Sequence, residues 1–86
     1  MAPPLSSDAY IRFIDVLVAA RRERGITQAE LAARLGKPQS FVSKSERRER
    51  RLDVVEFCAF AEALGVTPEN LLREIGAALP RPLRLS

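Results

Sequence analysis

Residues 27–46 read TQAELAARLGKPQSFVSKSE, and the spacing within them decides the fold. Thr27 is placed to cap a helix, and Glu30, three residues on, can reach back to the Thr27 amide, the spacing of a capping box. Leu31, Ala32 and Leu35 then fall three and four apart, the period of one inward helical face. The run is short because Gly36 supplies a left-handed stop. Only Gly36, Lys37 and Pro38 intervene before a second helical stretch, QSFVSKSE. Pro38 suits a first helical turn, where a missing N–H costs nothing. A short helix, a turn of three or four residues containing glycine, and another short helix have helix-turn-helix spacing. Ala32 leaves room for the two helices to cross closely.

The same punctuation extends in both directions. Upstream, Ser6 or Ser7 can cap a first helix that runs to about Arg24, with Gly25 as its stop and Tyr10, Phe13, Ile14, Leu17 and Val18 on one face. Downstream, Asp53 and Glu56 repeat the cap-and-reach spacing ahead of Val54, Phe57, Cys58, Ala61 and Leu64, and Gly65 closes that helix. Thr67-Pro68 opens a fifth helix carrying Leu71, Leu72 and Ile75. The expectation is one all-α domain over 8–79, an N-terminal extension over 1–7, and an extended tail over 80–86, where PRPLRLS has two prolines in its first three residues.

Composition narrows the function. Hydrophobic residues make up 47% and charged residues 29% of 86, which suits a small folded domain burying about two-thirds of its unfolded surface. No apolar run approaches the roughly 18 residues a membrane helix needs, and the first ten residues do not resemble a secretory signal. The single cysteine, Cys58, excludes an internal disulfide, and it reads as a small core residue rather than a redox sensor. The absence of histidine removes the Ser–His and Cys–His nucleophile pairs and the usual metal ligands. No catalytic residue, metal or cofactor is expected, and the setting is a reducing cytoplasm.

Net charge is +3, but from Lys37 to Arg51 six basic residues face only Glu46 and Glu49, a local excess of +4. Such a concentrated patch is the footprint of a polyanion-binding face. It is also what a solvated surface helix would carry, and charge alone leaves the two even.

Residues 17–72 resemble the Cro/phage-repressor family, also called XRE-type helix-turn-helix proteins. The likeness falls on separate motifs: RRERGITQAELA, the glycine turn, QSFVSKSE and EALGVTPENLL. It implies a compact, five-helix, lambda-repressor-like fold that binds operator DNA as a two-fold dimer, commonly to repress transcription. It also implies a third helix in the major groove, with Gln39, Ser40, Phe41, Ser43 and Lys44 exposed and Val42 inward. Gln39 suits adenine, Lys44 suits guanine, and Phe41 can pack on a thymine methyl or serve as core. Gln28 matches the family's phosphate-binding glutamine at the start of the second helix, where free amides favour an anion. Lys37, Arg47, Arg48, Arg50 and Arg51 are the expected phosphate neutralisers, giving affinity and salt dependence rather than sequence choice. Arg21 and Glu46 correspond to a buried ion pair.

Two positions depart from the family pattern. Ser45 stands where a large apolar residue is usual, so core contacts are lost and a hydroxyl needs a partner. Arg48 stands where glycine normally makes a left-handed turn, at a cost on the order of 1 kcal/mol if that geometry is kept. A softer junction between the third and fourth helices is expected. Leu71, Leu72, Ile75 and Leu79 offer more apolar surface than a monomer of this size readily hides, so they are the expected homodimer interface on double-stranded DNA. The alternative is an antitoxin-like or adaptor module whose scaffold mainly holds a protein partner.

Overall fold

A computed structural model of the chain describes residues 7–83. Ser6 as a cap, the remainder of the 1–7 extension before Ser7, and the last three residues of the 80–86 tail lie outside the described residues. Five helices follow one another: α1 (Asp8–Glu23), α2 (Gln28–Leu35), α3 (Gln39–Glu46), α4 (Val54–Leu64) and α5 (Pro68–Ala78). Among the described residues there is no strand, and no helix is long and apolar enough to cross a membrane.

Local chemistry accounts for the helix ends. Ser7 Oγ accepts the Tyr10 N–H, and Thr67 Oγ1 accepts that of Asn70. Complete capping boxes form at Thr27–Glu30 and Asp53–Glu56. Pro38 is the N-cap of α3 rather than its first helical residue, and no side chain caps that helix.

The four links between helices share one device. The amide two or three residues past the helix end bonds a carbonyl five residues back, and the preceding amide bonds one three back, the Schellman arrangement. At the first link these are Ile26 to Arg21 (3.2 Å) and Gly25 to Arg22 (3.0 Å); at the turn of the helix-turn-helix, Lys37 to Ala32 (3.0 Å) and Gly36 to Ala33 (3.1 Å). The last link repeats them with Val66 to Ala61 and Gly65 to Glu62, both 3.0 Å. The third link has Glu49 to Lys44 (2.9 Å) and Arg48 to Ser45 (3.1 Å). The pivot is left-handed in every case, with φ of 67°, 68° and 80° at the glycines and 63° at Arg48. Arg48 therefore keeps the glycine geometry, and at Gly36 nothing lies within 4 Å of an added Cβ, so the backbone angle rather than space favours glycine there.

α2 packs against α3 and α4, while α1 crosses α3 and α5, and α4 also meets α5. The core they enclose is built on Ile14, Leu17, Leu31, Val42, Phe60, Ala61, Leu64, Leu71 and Ile75. Aromatic rings run along its edge: Tyr10 meets Phe13 edge-on at 5.4 Å, and Phe13 meets Phe57 at 5.9 Å. The Leu52 N–H donates to the Tyr10 hydroxyl (3.0 Å), tying α1 to the segment before α4.

Several apolar expectations change. Leu71 and Ile75, expected at a dimer interface, are 2% and 3% exposed and close the monomer core, because α5 lays that stripe against α1 and α4. Leu79 packs half-buried against the same core, and of the four only Leu72 is exposed. On α4 the inward stripe runs through Phe57, Phe60, Ala61 and Leu64; Val54 sits in the first turn, before that stripe begins, and is 77% exposed. Cys58 lies half-buried at the margin. The tail, expected to be extended, bends at Arg81 and Pro82.

Candidate nucleic-acid interface

The interface candidate is built on α3, which packs on α2 and α1, with the Phe41 ring reaching Phe60 of α4. Val42 is fully buried and anchors the helix from below. Gln39, Ser40 and Lys44 are exposed, and Ser43 is half-exposed with its hydroxyl donating to the Ser40 carbonyl (3.3 Å). These side chains form the outward polar face of α3, with the amides of its first turn left uncapped by any side chain.

On the α1 side a charge network fixes the end of α3. Arg21 Nε and Nη2 donate to the two carboxylate oxygens of Glu46 at 2.6 and 2.9 Å, and Arg21 Nη1 donates to the Ile26 carbonyl at 2.8 Å. Gln28 joins the network: its Nε2 donates to Glu46 Oε1 at 2.8 Å. An amide nitrogen carries two hydrogens, so one remains for an outside acceptor. Gln28 opens α2, where the first backbone amides have no intrahelical acceptor and the helix dipole favours an anion.

On the α4 side two expected contacts are redirected. The family resemblance places Phe41 among the base-facing side chains, with a core role as the alternative. Phe41 is half-buried, packed against the core, with its ring 6.1 Å from that of Phe60. Arg50, expected to neutralise phosphate, covers that ring with its guanidinium carbon 4.3 Å from the centroid, and Nη2 donates to Glu56 Oε2 at 2.9 Å. Lys37 Nζ also approaches the Phe41 ring, at 5.4 Å. Ser45, 1% exposed, satisfies its hydroxyl by donating to the Phe41 carbonyl at 2.7 Å. The expected loss at Ser45 is thus one of apolar contact, without an orphaned polar group.

The remaining cations stay at the surface. Arg47 is exposed and pairs with Glu49 at 2.8 Å, Arg51 lies over the Tyr10 ring at 5.0 Å, and Arg48 is half-buried. Hydrogen bonds from Arg50 and then from the Asp53 amide hold the Glu56 carboxyl below its ordinary 4.5. Those from Thr27, backbone first, do the same for Glu30. Both carboxylates are therefore charged at neutral pH. The described residues contain no group of His, Cys, Asp or Glu that could hold a metal ion.

Sequence reasoning missed the Gln28–Glu46 bond, the burial of Phe60 and the inward turn of Arg50. A signal for Phe60 was present, since it follows Phe57 at helical spacing; the other two depend on contacts between helices.

Known proteins resemble this chain in sequence and fold. A family model described as helix-turn-helix matches residues 17–71. An HTH-type transcriptional regulator of Sinorhizobium fredii is 42% identical over 52 residues, covering 60% of this chain and 68% of that protein. Among solved structures, an XRE-family like protein from Pseudomonas syringae pv. tomato is 54% identical, covering 84% of this chain and 88% of its own, with a TM-score of 0.77. The restriction-modification controller protein C.AhdI from Aeromonas hydrophila is 31% identical, covers 72% of this chain and 94% of its own, and superposes with a TM-score of 0.66. With the family model spanning the capped α2, the glycine turn and α3, the chain belongs to the XRE-type helix-turn-helix family of transcriptional regulators.

Proposed function

We propose that the chain is a sequence-specific repressor that binds a two-fold symmetric operator as a homodimer. The observation that carries this reading is the polar outward face of α3, where Gln39, Ser40 and Lys44 stand exposed beside a segment of local charge +4. Gln39 pairs with adenine and Lys44 with guanine, while Ser40 and Ser43 add shorter contacts to base edges. Gln28, with the amides that open α2, takes one phosphate, and Lys37, Arg47, Arg48 and Arg51 supply the surrounding positive field. Phe41 and Arg50 leave the contact set, because the core and Glu56 hold them.

The dimer rests on Leu72, together with Val54 and Val55 at 77% exposure, rather than on Leu71 and Ile75. Two copies joined there would present their recognition helices about 34 Å apart, one turn of duplex. Selection of bound duplexes from a random pool, run at two salt concentrations, tests the whole reading. The expected result is a two-fold symmetric motif that Gln39→Ala blurs at one position in each half. Binding that depends on salt but not on sequence would reduce the protein to a nonspecific basic module. Sedimentation giving a monomer at micromolar concentration, with and without the selected DNA, would remove the dimer.

A further inference from the structure

Arg50 is set apart from the other basic residues by what surrounds it. Its guanidinium forks onto Glu56, with Nη1 at 3.3 Å from Oε1 and Nη2 at 2.9 Å from Oε2, and its plane lies over Phe41 at 4.3 Å. Glu56 Oε1 also accepts the Asp53 N–H at 3.0 Å, which fastens the carboxylate to the first turn of α4. Arg50 Nη1 comes within 3.5 Å of Ser45 Oγ, and that hydroxyl donates to the Phe41 carbonyl. A large apolar residue at position 45 would leave the guanidinium without this polar neighbour. A continuous path therefore runs from the start of α4, through Glu56 and Arg50, to the ring of Phe41 in the first turn of α3.

Phe41 is the third residue of α3, flanked by Gln39 and Ser40 on one side and Ser43 and Lys44 on the other. A helix rolls as a unit, so whatever fixes the Phe41 ring fixes the direction in which those four side chains point. We propose that Arg50, gripped by Glu56, is a positioning residue that sets the roll of α3 through Phe41, and so governs base selectivity without touching DNA. This rests on the DNA-binding reading above. A planar, forked cation is required: it covers an aromatic face and a carboxylate together, whereas a lysine ammonium is a point charge that can do one or the other.

The competing role for Arg50 is a phosphate ligand, and the two separate cleanly. The selected duplex and a scrambled one are titrated across a salt series with the unaltered protein, Arg50→Lys and Arg50→Gln. For a positioning residue, lysine fails to rescue: the specific-to-scrambled ratio falls about fivefold or more in both variants, the size of one displaced base contact. The slope of log affinity against log salt stays unchanged, and the ratio is indifferent to any loss of folded fraction. For a phosphate ligand, lysine preserves affinity, glutamine lowers the slope by about 0.9, and the ratio holds in both; that result overturns the assignment. Without DNA, the Phe41 ring protons should shift by NMR in both Arg50 variants and in Glu56→Gln, which keeps its capping box. Unmoved Phe41 resonances also overturn it. An unaltered protein with no sequence preference overturns the DNA-binding reading itself, an outcome told apart because it needs no variant.

Discussion

On its α1 side α3 is held by Arg21 and Glu46, whose side chains are 9% and 10% exposed; towards α4 it meets Arg50 and Glu56, at 33% and 26%. Both pairs are forked arginine–carboxylate contacts, at 2.6 and 2.9 Å in the first and at 2.9 and 3.3 Å in the second, so the second fork is the looser. Depth differs. The first pair is about nine-tenths buried, so water replaces a lost partner poorly and an unpaired charge there is costly. The second is wet enough that solvent screens it and either member can fall back on water. The first grip should therefore weigh more on stability than the second, whose loss solvent can offset.

The strongest way to break this comparison is Glu46→Ala. It strands Arg21 and removes the acceptor of Gln28, so unfolding in urea should show a loss of about 3–5 kcal/mol. A loss below about 1 kcal/mol would put both grips in the same class. Next in size is Arg48→Gly, which changes neither pair but relaxes the left-handed pivot between them. It should stabilise the protein by about 1 kcal/mol and raise the thermal midpoint by several degrees. No gain in calorimetry would mean that contacts of the Arg48 side chain offset the backbone strain.

Glu56→Gln should cost less than about 1 kcal/mol in the same urea measurement, because the amide still caps α4 and the pair it weakens is partly solvated. The smallest effect is that of acid. Glu56 and Glu30 are held below 4.5 in the folded protein, so the stability they add is complete above that pH and fades as pH falls through the lower folded values. Urea midpoints taken at about pH 5.5 and about pH 3 should decline, and the Glu56→Gln protein should decline less. An equal decline in both would assign the acid sensitivity to other carboxylates.

The parts legible in the sequence were those whose cause is local. Thr27 with Glu30 and Asp53 with Glu56 predict two helix starts because a capping box spans only four residues. Gly25, Gly36 and Gly65 predict stops because a left-handed pivot is a property of one residue. Val42 inward and Gln39, Ser40 and Lys44 outward follow from period and family likeness together. What escaped needs two helices at once. Leu71 and Ile75 display an apolar stripe, but a stripe does not say whether its cover is the same chain or a second copy. Arg50 reads as one basic residue in a run, and only the folded path of the segment between α3 and α4 brings Phe41 beneath it and Glu56 beside it. Ser45 looked like a weakness until the carbonyl of Phe41 gave its hydroxyl a place.

The bond from Gln28 to Glu46 has a consequence for how quickly and how tightly a ligand can be held. A free glutamine side chain samples many rotamers, and freezing it on association costs roughly 0.5–1.5 kcal/mol. Here that restriction is imposed during folding, by a carboxylate that Arg21 already immobilises. The second amide hydrogen of Gln28 thus keeps one heading in the free protein, and an anion arriving at the start of α2 meets a donor already aimed rather than one it must capture.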